Sequence, residues 1–394
     1  CRNQVWRMNH IPAFVLGGVP AVNMNVRHRI NFSVGDAVFY ISLPQSGGRS
    51  RSVLLVRDIE MGRAEKLANA DEIGCAADYV PQEGLSGDRD TALAQAGAEC
   101  LRQNGIKMVR TDSSLPMIFV SHLRDAGIEV EYDPNLAVLD RRTKSDKELE
   151  YLREAQSITE EAMEFACRTI CKATPDVKGV LHDGNTALTS ELMRQRITSF
   201  LIAKNCSNHN DSIVVTVPHV ADCHHHGSGP LRTGLPIIVD IFPRMNATGY
   251  WGDCTRTAVN GEPSSQILKM HEAVVKAKDD AILSLRVGTT GNAVHQSTVA
   301  SITGSGYLMG LPPKGSGDDF ISMRHGTGHG IGLDVHEPIL LSDGGSEILN
   351  NEVFTVEPGL YSAKFGGVRV EDMVAVTADG PINFNRLPDH LDWR

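Results

Sequence analysis

The chain has 394 residues, of which 41% are hydrophobic, enough for two domains with a sizeable core. Thirty-eight basic against 48 acidic residues leave a net charge of −10, and no basic cluster marks a nucleic-acid partner. No run approaches the ~18–20 consecutive apolar residues of a membrane-spanning helix, so no membrane partner is expected. The eight cysteines are scattered without a repeated spacing, which fits a reducing, cytoplasmic compartment better than a disulfide framework. The chain opens on Cys1 rather than Met, which is compatible with trimming of a targeting segment. Asn246-Ala247-Thr248 fits a glycosylation sequon, a match that chance readily supplies.

Through about Asn31 polar and apolar residues mix without a sustained period, and no element is assigned. Ala37 to Leu43 and Ser52 to Val56 read as strands joined by a Gly-Gly turn. Ile59 to Ala68 and Asp90 to Gln103 read as helices, and Lys107 to Val109 and Ile128 to Glu131 as short strands. Strands alternating with helices predict an α/β domain over residues 1–142. It carries no metal or nucleophile constellation, so packing and substrate gating are its expected tasks.

Arg141 to Lys144 is a charged link, and residues 143–394 form the second predicted domain. Ser145 followed three later by Glu148 fits a capping box, and Leu149, Leu152, Ala155, Ala162, Ala166 and Ile170 mark one apolar face over six turns. Ser190 to Lys204, Ser264 to Leu285 and Thr290 to Ile302 are further helices. His219 and Cys223-His224-His225-His226-Gly227 form the densest imidazole cluster. Cys206, His209, His219 and Cys223 lack the spacing of a zinc finger.

Leu235 to Val239 is a buried-strand run ending in Asp240, Asn246 to Gly249 has turn chemistry, and Cys254 to Val259 resumes a strand just after Asp253. A turn centred between Asn246 and Ala247 would set the two aspartates directly opposite each other, with Cβ atoms roughly 4.5–5.5 Å apart. Carboxylates that close repel unless a cation lies between them. The same device recurs near the C-terminus. Val353 to Val356 runs into Glu357, and a returning strand from Val368 to Val376 carries Glu371, so a turn around Lys364 would oppose the two glutamates. Between the hairpins, His325 to Glu337 holds three histidines and four glycines, too much glycine for a helix. That excludes a helical HExxH zinc site. In an extended chain His325 and His329 share a face, and either can offer an imidazole to the carboxylates.

Asp240, Asp253 in Gly-Asp-Cys-Thr-Arg-Thr, His329 in His-Gly-Thr-Gly-His-Gly-Ile-Gly, Glu357 in Val-Glu-Pro-Gly-Leu-Tyr and Glu371 in Val-Arg-Val-Glu-Asp resemble, in order, the five metal ligands of the pita-bread metallopeptidases. That family includes methionine aminopeptidase, aminopeptidase P, prolidase and creatinase. The run from His329 to Asp-Val-His-Glu looks most like the aminopeptidase P and prolidase branch. The 13-residue interval between the aspartates is longer than in that branch, which bears on the nearby pocket rather than on the ligands. The resemblance implies an α+β fold: a C-terminal pita-bread domain with an internal pseudo-twofold, helices on one face of a curved antiparallel sheet, and a smaller α/β N-terminal domain.

Four carboxylates and one imidazole suit Mn and also accommodate Co, Fe or Zn, and opposed bridging carboxylates suggest two divalent ions that activate a shared water. By resemblance Glu357 also takes the water's proton and passes it to the leaving nitrogen, His336 hydrogen-bonds the carbonyl or tetrahedral intermediate, and one of His224, His225 and His226 helps from the other side, His224 fitting the interval best. His325 and Tyr361 fall beside the substrate or behind the ligands. Arg369 either orients a ligand carboxylate or makes an ordinary cross-strand ion pair. The implied activity is removal of an N-terminal residue preceding proline, or cleavage of an Xaa-Pro dipeptide, by a homodimer acting on small peptides. A creatinase-like enzyme acting on a non-peptide C–N bond and a silent binding scaffold are the alternatives, and five retained ligand positions argue against the scaffold.

Overall fold

The computed structural model describes residues 12–394, so the reading of Cys1 lies outside the described residues. The chain divides into two compact units after Arg141. In the first, six strands form one mixed sheet in the order Glu72–Gly74, Ser50–Leu55, Val38–Pro44, Phe14–Gly18, Met108–Thr111, Glu129–Tyr132. Phe14–Gly18 occupies a central place although its sequence shows no strand period. It is buried on both faces, so its apolar residues run without alternation into two glycines. The helix after it, Met24–Ile30, is short, and starts where the Asn23 side chain accepts the N–H groups of Asn25 and Val26. The predicted helices at 59–68 and 90–103 form as Met61–Leu67, after a single 3-10 turn, and Arg89–Gln103. Met117–Asp125 is an additional helix behind Pro116, and its Phe119 stacks on Phe39 from the sheet at 4.8 Å.

The second unit begins its regular structure with Asp146–Lys172. Ser145 and Glu148 form the reciprocal capping box, and all six predicted apolar-face residues are buried. This helix lies against Pro236–Ile241 and Cys254–Val259, the two strands that carry the aspartates, with Ser190–Ala203 beside it. A second pair, Ser265–Ser284 and Gly291–Gly304, packs on Glu352–Val356 and its neighbours. Two helices over a set of antiparallel strands thus occur twice. The strands form not one continuous curved sheet but several. One has three strands, Ile213–Val215, Pro236–Ile241 and Cys254–Val259; another has five, in the order Glu337–Leu341, Gly328–Gly330, Glu352–Val356, Asp372–Thr377, Gly380–Asn383; and Gly359–Ser362 with Gly366–Arg369 belongs to a third.

Two registers decide where the carboxylates stand. Asp240 pairs with Thr255 and Ile241 with Cys254, and the same register continues to Arg244 opposite Trp251, so the aspartates are diagonal rather than directly opposite. Arg244–Met245 stays in this hairpin, with Arg244 opposite Trp251 and the Met245 N–H donating to Tyr250 C=O, while its other edge pairs with Cys206–Ser207; the turn centres between Ala247 and Thr248, one position later than the sequence expectation. An offset of two residues keeps both aspartates on one face, so the cluster survives the shift. The glutamates do oppose each other. Val356 pairs with Asp372 and Gly359 with Arg369, a single register on either side of Glu357 and Glu371, with its turn at Lys364. The predicted strand Val368 to Val376, however, is two strands in two sheets, broken at Val370 and Glu371. Each glutamate therefore sits where its hairpin changes sheets. The Glu357 N–H donates to Thr327 C=O and the Glu371 N–H to Thr255 C=O, contacts that fix both backbones at the break.

Candidate active site

Asp253, His329 and Glu371 are all buried, and one ligand atom from each lies within 4.8 Å of the others. Among the described residues this is the group of acidic, imidazole and thiol side chains so disposed. Gly328–Gly330 delivers His329 as an inner strand, with its N–H donating to Thr355 Oγ1 at 3.1 Å. The ring's Nδ1 lies 3.0 Å from Gly330 C=O, so Nδ1 carries the proton and Nε2 keeps its lone pair for the carboxylates. Nε2 stands 3.6 Å from Glu357 Oε1 and 3.9 Å from Asp253 Oδ2. Burial, and then the neighbouring His336, pull His329 down to about 3, so the ring is neutral.

Asp240 completes the cluster from the side. Its Oδ2 accepts from Arg369 Nη2 at 2.6 Å, while its Oδ1 is buried without a hydrogen-bond partner. A buried carboxylate oxygen left unsatisfied costs about 1–3 kcal/mol or more, so it marks a place where another donor or a cation belongs. Burial, then Glu371, Asp240 and Glu357, push Asp253 well up, and burial with Glu357 and Asp240 does the same to Glu371. Burial raises Glu357 to about 7 against the opposing pull of Arg369. Four carboxyl groups forced together, one with a bare oxygen, and one neutral imidazole facing them match the donor chemistry of divalent cations.

Arg369 is buried, and besides Asp240 it donates to the Tyr361 hydroxyl at 2.9 Å and to Thr255 Oγ1 at 3.3 Å. The bond to Asp240 is compatible with both of its sequence readings, orientation of a carboxylate and an ordinary ion pair. Tyr361 is fully buried, and its hydroxyl donates to His325 Nε2 at 2.7 Å, since His325 Nδ1 is engaged by Gly326 C=O. Burial, and then Arg369, hold His325 down at about 4. His325 also lines the cavity and is joined to Asp240 through Tyr361 and Arg369. His336 is exposed at the cavity, its ring edge-on to His329 at 4.3 Å.

The cluster floors a cavity of about 580 Å³ whose walls include His224, His226 and the apolar side chains of Ile213, Phe242, Val335 and Leu340. The structure separates the three adjacent histidines. His225 turns away to stack on His219 at 4.4 Å and accepts the Gly227 N–H; His226 Nδ1 faces Ser212 C=O; His224 is exposed in the cavity wall. Residues that sequence reasoning passed over support the cluster from behind. Thr255 Oγ1 donates to Glu371 Oε2 at 2.7 Å, and Gln156 bonds both polar groups of the Asp253 peptide. Signals for both were present: Thr255 is two residues from Asp253 on a strand, and Gln156 is a polar residue inside the apolar stripe of a long helix.

A buried carboxylate cluster with one imidazole, carried by a duplicated antiparallel scaffold, defines a pita-bread metallopeptidase. Residues 150–378 match the sequence profile of metallopeptidase family M24, and the chain belongs to that family. A probable dipeptidase PepE of Mycobacterium bovis is 32% identical over 197 residues, 50% of this chain and 49% of that protein, so the match spans about half the length of such curated relatives. An Xaa-Pro dipeptidase from Bacillus anthracis superimposes with a TM-score of 0.76 at 23% identity, covering 96% of this chain and 94% of that one. An X-Pro aminopeptidase from Thermotoga maritima gives 0.75 at 20% identity, with 96% and 97% covered. At such identities the two structures show a shared fold, N-terminal domain included.

Proposed function

We propose that the protein is a metal-dependent hydrolase of Xaa-Pro peptide bonds, an Xaa-Pro aminopeptidase or dipeptidase. The observation that carries this reading is the convergence of Asp253, His329 and Glu371 beside Glu357 and the bare Oδ1 of Asp240. These five residues would hold two divalent ions, with Mn the best match to an oxygen-rich donor set. Bound there, the ions would supply Lewis acidity and lower the pKa of water to near neutral. Glu357, part-exposed at the cavity floor, receives the proton of the attacking water and returns it to the leaving nitrogen. His336 and His224 present ring N–H groups from the cavity wall to the scissile carbonyl oxygen, where charge develops. Arg369 holds Asp240 in place through the bond to Oδ2. The apolar wall of Ile213, Phe242, Val335 and Leu340 suits small, partly apolar peptides. Proline preference is drawn from the family branch and from the names of the relatives, and assembly as a cytoplasmic homodimer from the resemblance and the scattered cysteines.

Hydrolysis of Gly-Pro, Ala-Pro and Xaa-Pro-Yaa tripeptides beside Ala-Ala controls, after Mn²⁺ loading and after chelation, tests the reading. Metal-dependent cleavage confined to the proline substrates supports it, and the preferred length separates aminopeptidase from dipeptidase. Metal uptake without any cleavage would favour a non-peptide substrate.

A further inference from the structure

Asp253 lies one residue before the strand Cys254–Val259, between the ladder pair Cys254–Ile241 and the Gly252 N–H bond to Pro243 C=O. Both polar groups of its own backbone are taken by Gln156, from the helix Asp146–Lys172. Fully buried, it accepts the Asp253 N–H on Oε1 at 2.8 Å and donates from Nε2 to the Asp253 C=O at 2.7 Å. A primary amide carries donor and acceptor in one plane, as a peptide does, so one side chain can serve both groups. The approach depends on Gly252, where a Cβ would come within 2.7 Å of the Ala155 carbonyl oxygen and 2.2 Å of Thr159 Oγ1.

Gln156 Nε2 also donates to Asn385 Oδ1 at 2.8 Å, and that oxygen accepts the N–H of Met373, two residues past Glu371, at 2.8 Å. A chain of amides thus runs from the backbone at Asp253 through Gln156 and Asn385 to the backbone beyond Glu371, touching neither carboxylate. Asn385 lies outside residues 150–378, the stretch matched to the family.

We propose that Gln156 and Asn385 are positioning residues that act as one unit to hold Asp253 and Glu371 at metal-binding separation. The inference rests on those two residues being metal ligands. Removal of partners that orient metal ligands typically weakens metal affinity by 10–100-fold. The two side chains share one hydrogen-bonded chain, so their effects should be coupled rather than multiply independently.

The test titrates metal-stripped full-length wild type, Gln156→Leu, Asn385→Leu and the double variant with Co²⁺ alone, following its d–d absorption and competition with a chromophoric chelator. Gln156→Leu is expected to weaken Co²⁺ binding by about 10–100-fold and to alter the spectrum. Asn385→Leu should also weaken binding, and the double variant should lose less than the product of the two singles. Wild-type affinity in Gln156→Leu, or a double-variant loss equal to the product of the singles, overturns the inference. Should Gln156→Leu fail to fold, Asn385→Leu on the half-buried tail decides it: weakened binding supports the inference and wild-type affinity overturns it. Wild type that takes up no Co²⁺ overturns the ligand assignment itself, whereas metal-binding wild type with unaffected variants overturns only the positioning role.

Discussion

Arg369 is the buried cation that donates to Asp240 at the edge of the carboxylate cluster. One face of the guanidinium serves Asp240, the other the Tyr361 hydroxyl, so the side chain can neither swing out nor be replaced by a point charge of the same reach. Removing one partner of a buried ion pair typically costs about 3–5 kcal/mol because the other is left uncompensated. Arg369→Met should therefore lower stability by about that amount, read from urea unfolding of the metal-stripped protein. An unchanged midpoint would mean that Asp240 does not depend on Arg369. The histidines and carboxylates divide differently. Glu371→Ala should lose bound metal and activity together, whereas His336→Ala, outside the set whose ligand atoms converge, should keep its metal while kcat falls about 10²–10³-fold. Metal analysis beside peptide hydrolysis checks the pair, and a Glu371→Ala protein with full metal content at full activity would remove Glu371 from the ligands.

The elements hold the cluster by close backbone packing as much as by side chains. Gly328 lies in the strand that delivers His329, and a Cβ there would meet the Thr355 carbonyl oxygen at 1.9 Å. The neighbouring strand cannot retreat without moving Glu357, two residues beyond Thr355. Gly328→Ala should lower both the thermal midpoint and the metal content, measured by calorimetry and metal analysis; a variant with native values of both would show that the two strands part freely. At the start of the long helix, Ser145 accepts the Glu148 N–H while Glu148 Oε2 accepts the Ser145 N–H. Ser145→Ala should cost about 1 kcal/mol in chemical denaturation with kcat unchanged, because the cap is exposed, lies about three turns from Gln156, and leaves the helix anchored by Gln156 and the buried apolar stripe. A loss of activity without a loss of stability would contradict that reading.

Across the whole molecule the cluster is a concentration of like charge that the fold tolerates only with compensation. A ligand present at 100 times its Kd and bound to the native state alone stabilises by about 2.7 kcal/mol. Chelation should accordingly lower the thermal midpoint by several degrees and Mn²⁺ should restore it, measured by scanning calorimetry. Identical midpoints with and without the ion would argue against a metal centre. Legibility at this scale followed periodicity. The capped helix from Ser145 and the three later helices of the second unit were readable because one face of each is buried and the other wet. Phe14–Gly18 was not, since a strand buried on both faces has no alternation to show.

The sequence alone determined the residue types and spacings: two aspartates around a turn, two glutamates around Lys364, and a glycine-dense stretch presenting His329. The glutamate pairing followed because a hairpin of unbroken register is set by its turn, a local property. The aspartate register differs because the turn centres between Ala247 and Thr248 rather than between Asn246 and Ala247, a choice within Asn-Ala-Thr-Gly that residue identity alone does not fix. Tertiary structure also separated the three adjacent histidines: His224 and His226 line the cavity, whereas His225 stacks on His219. It placed Gln156 against the backbone of Asp253, and Arg369 between Asp240 and Tyr361. Ligand chemistry is written in residue identity, which a sequence carries in full. The separation and orientation of those ligands depend on contacts between distant segments, which exist only once the chain has folded.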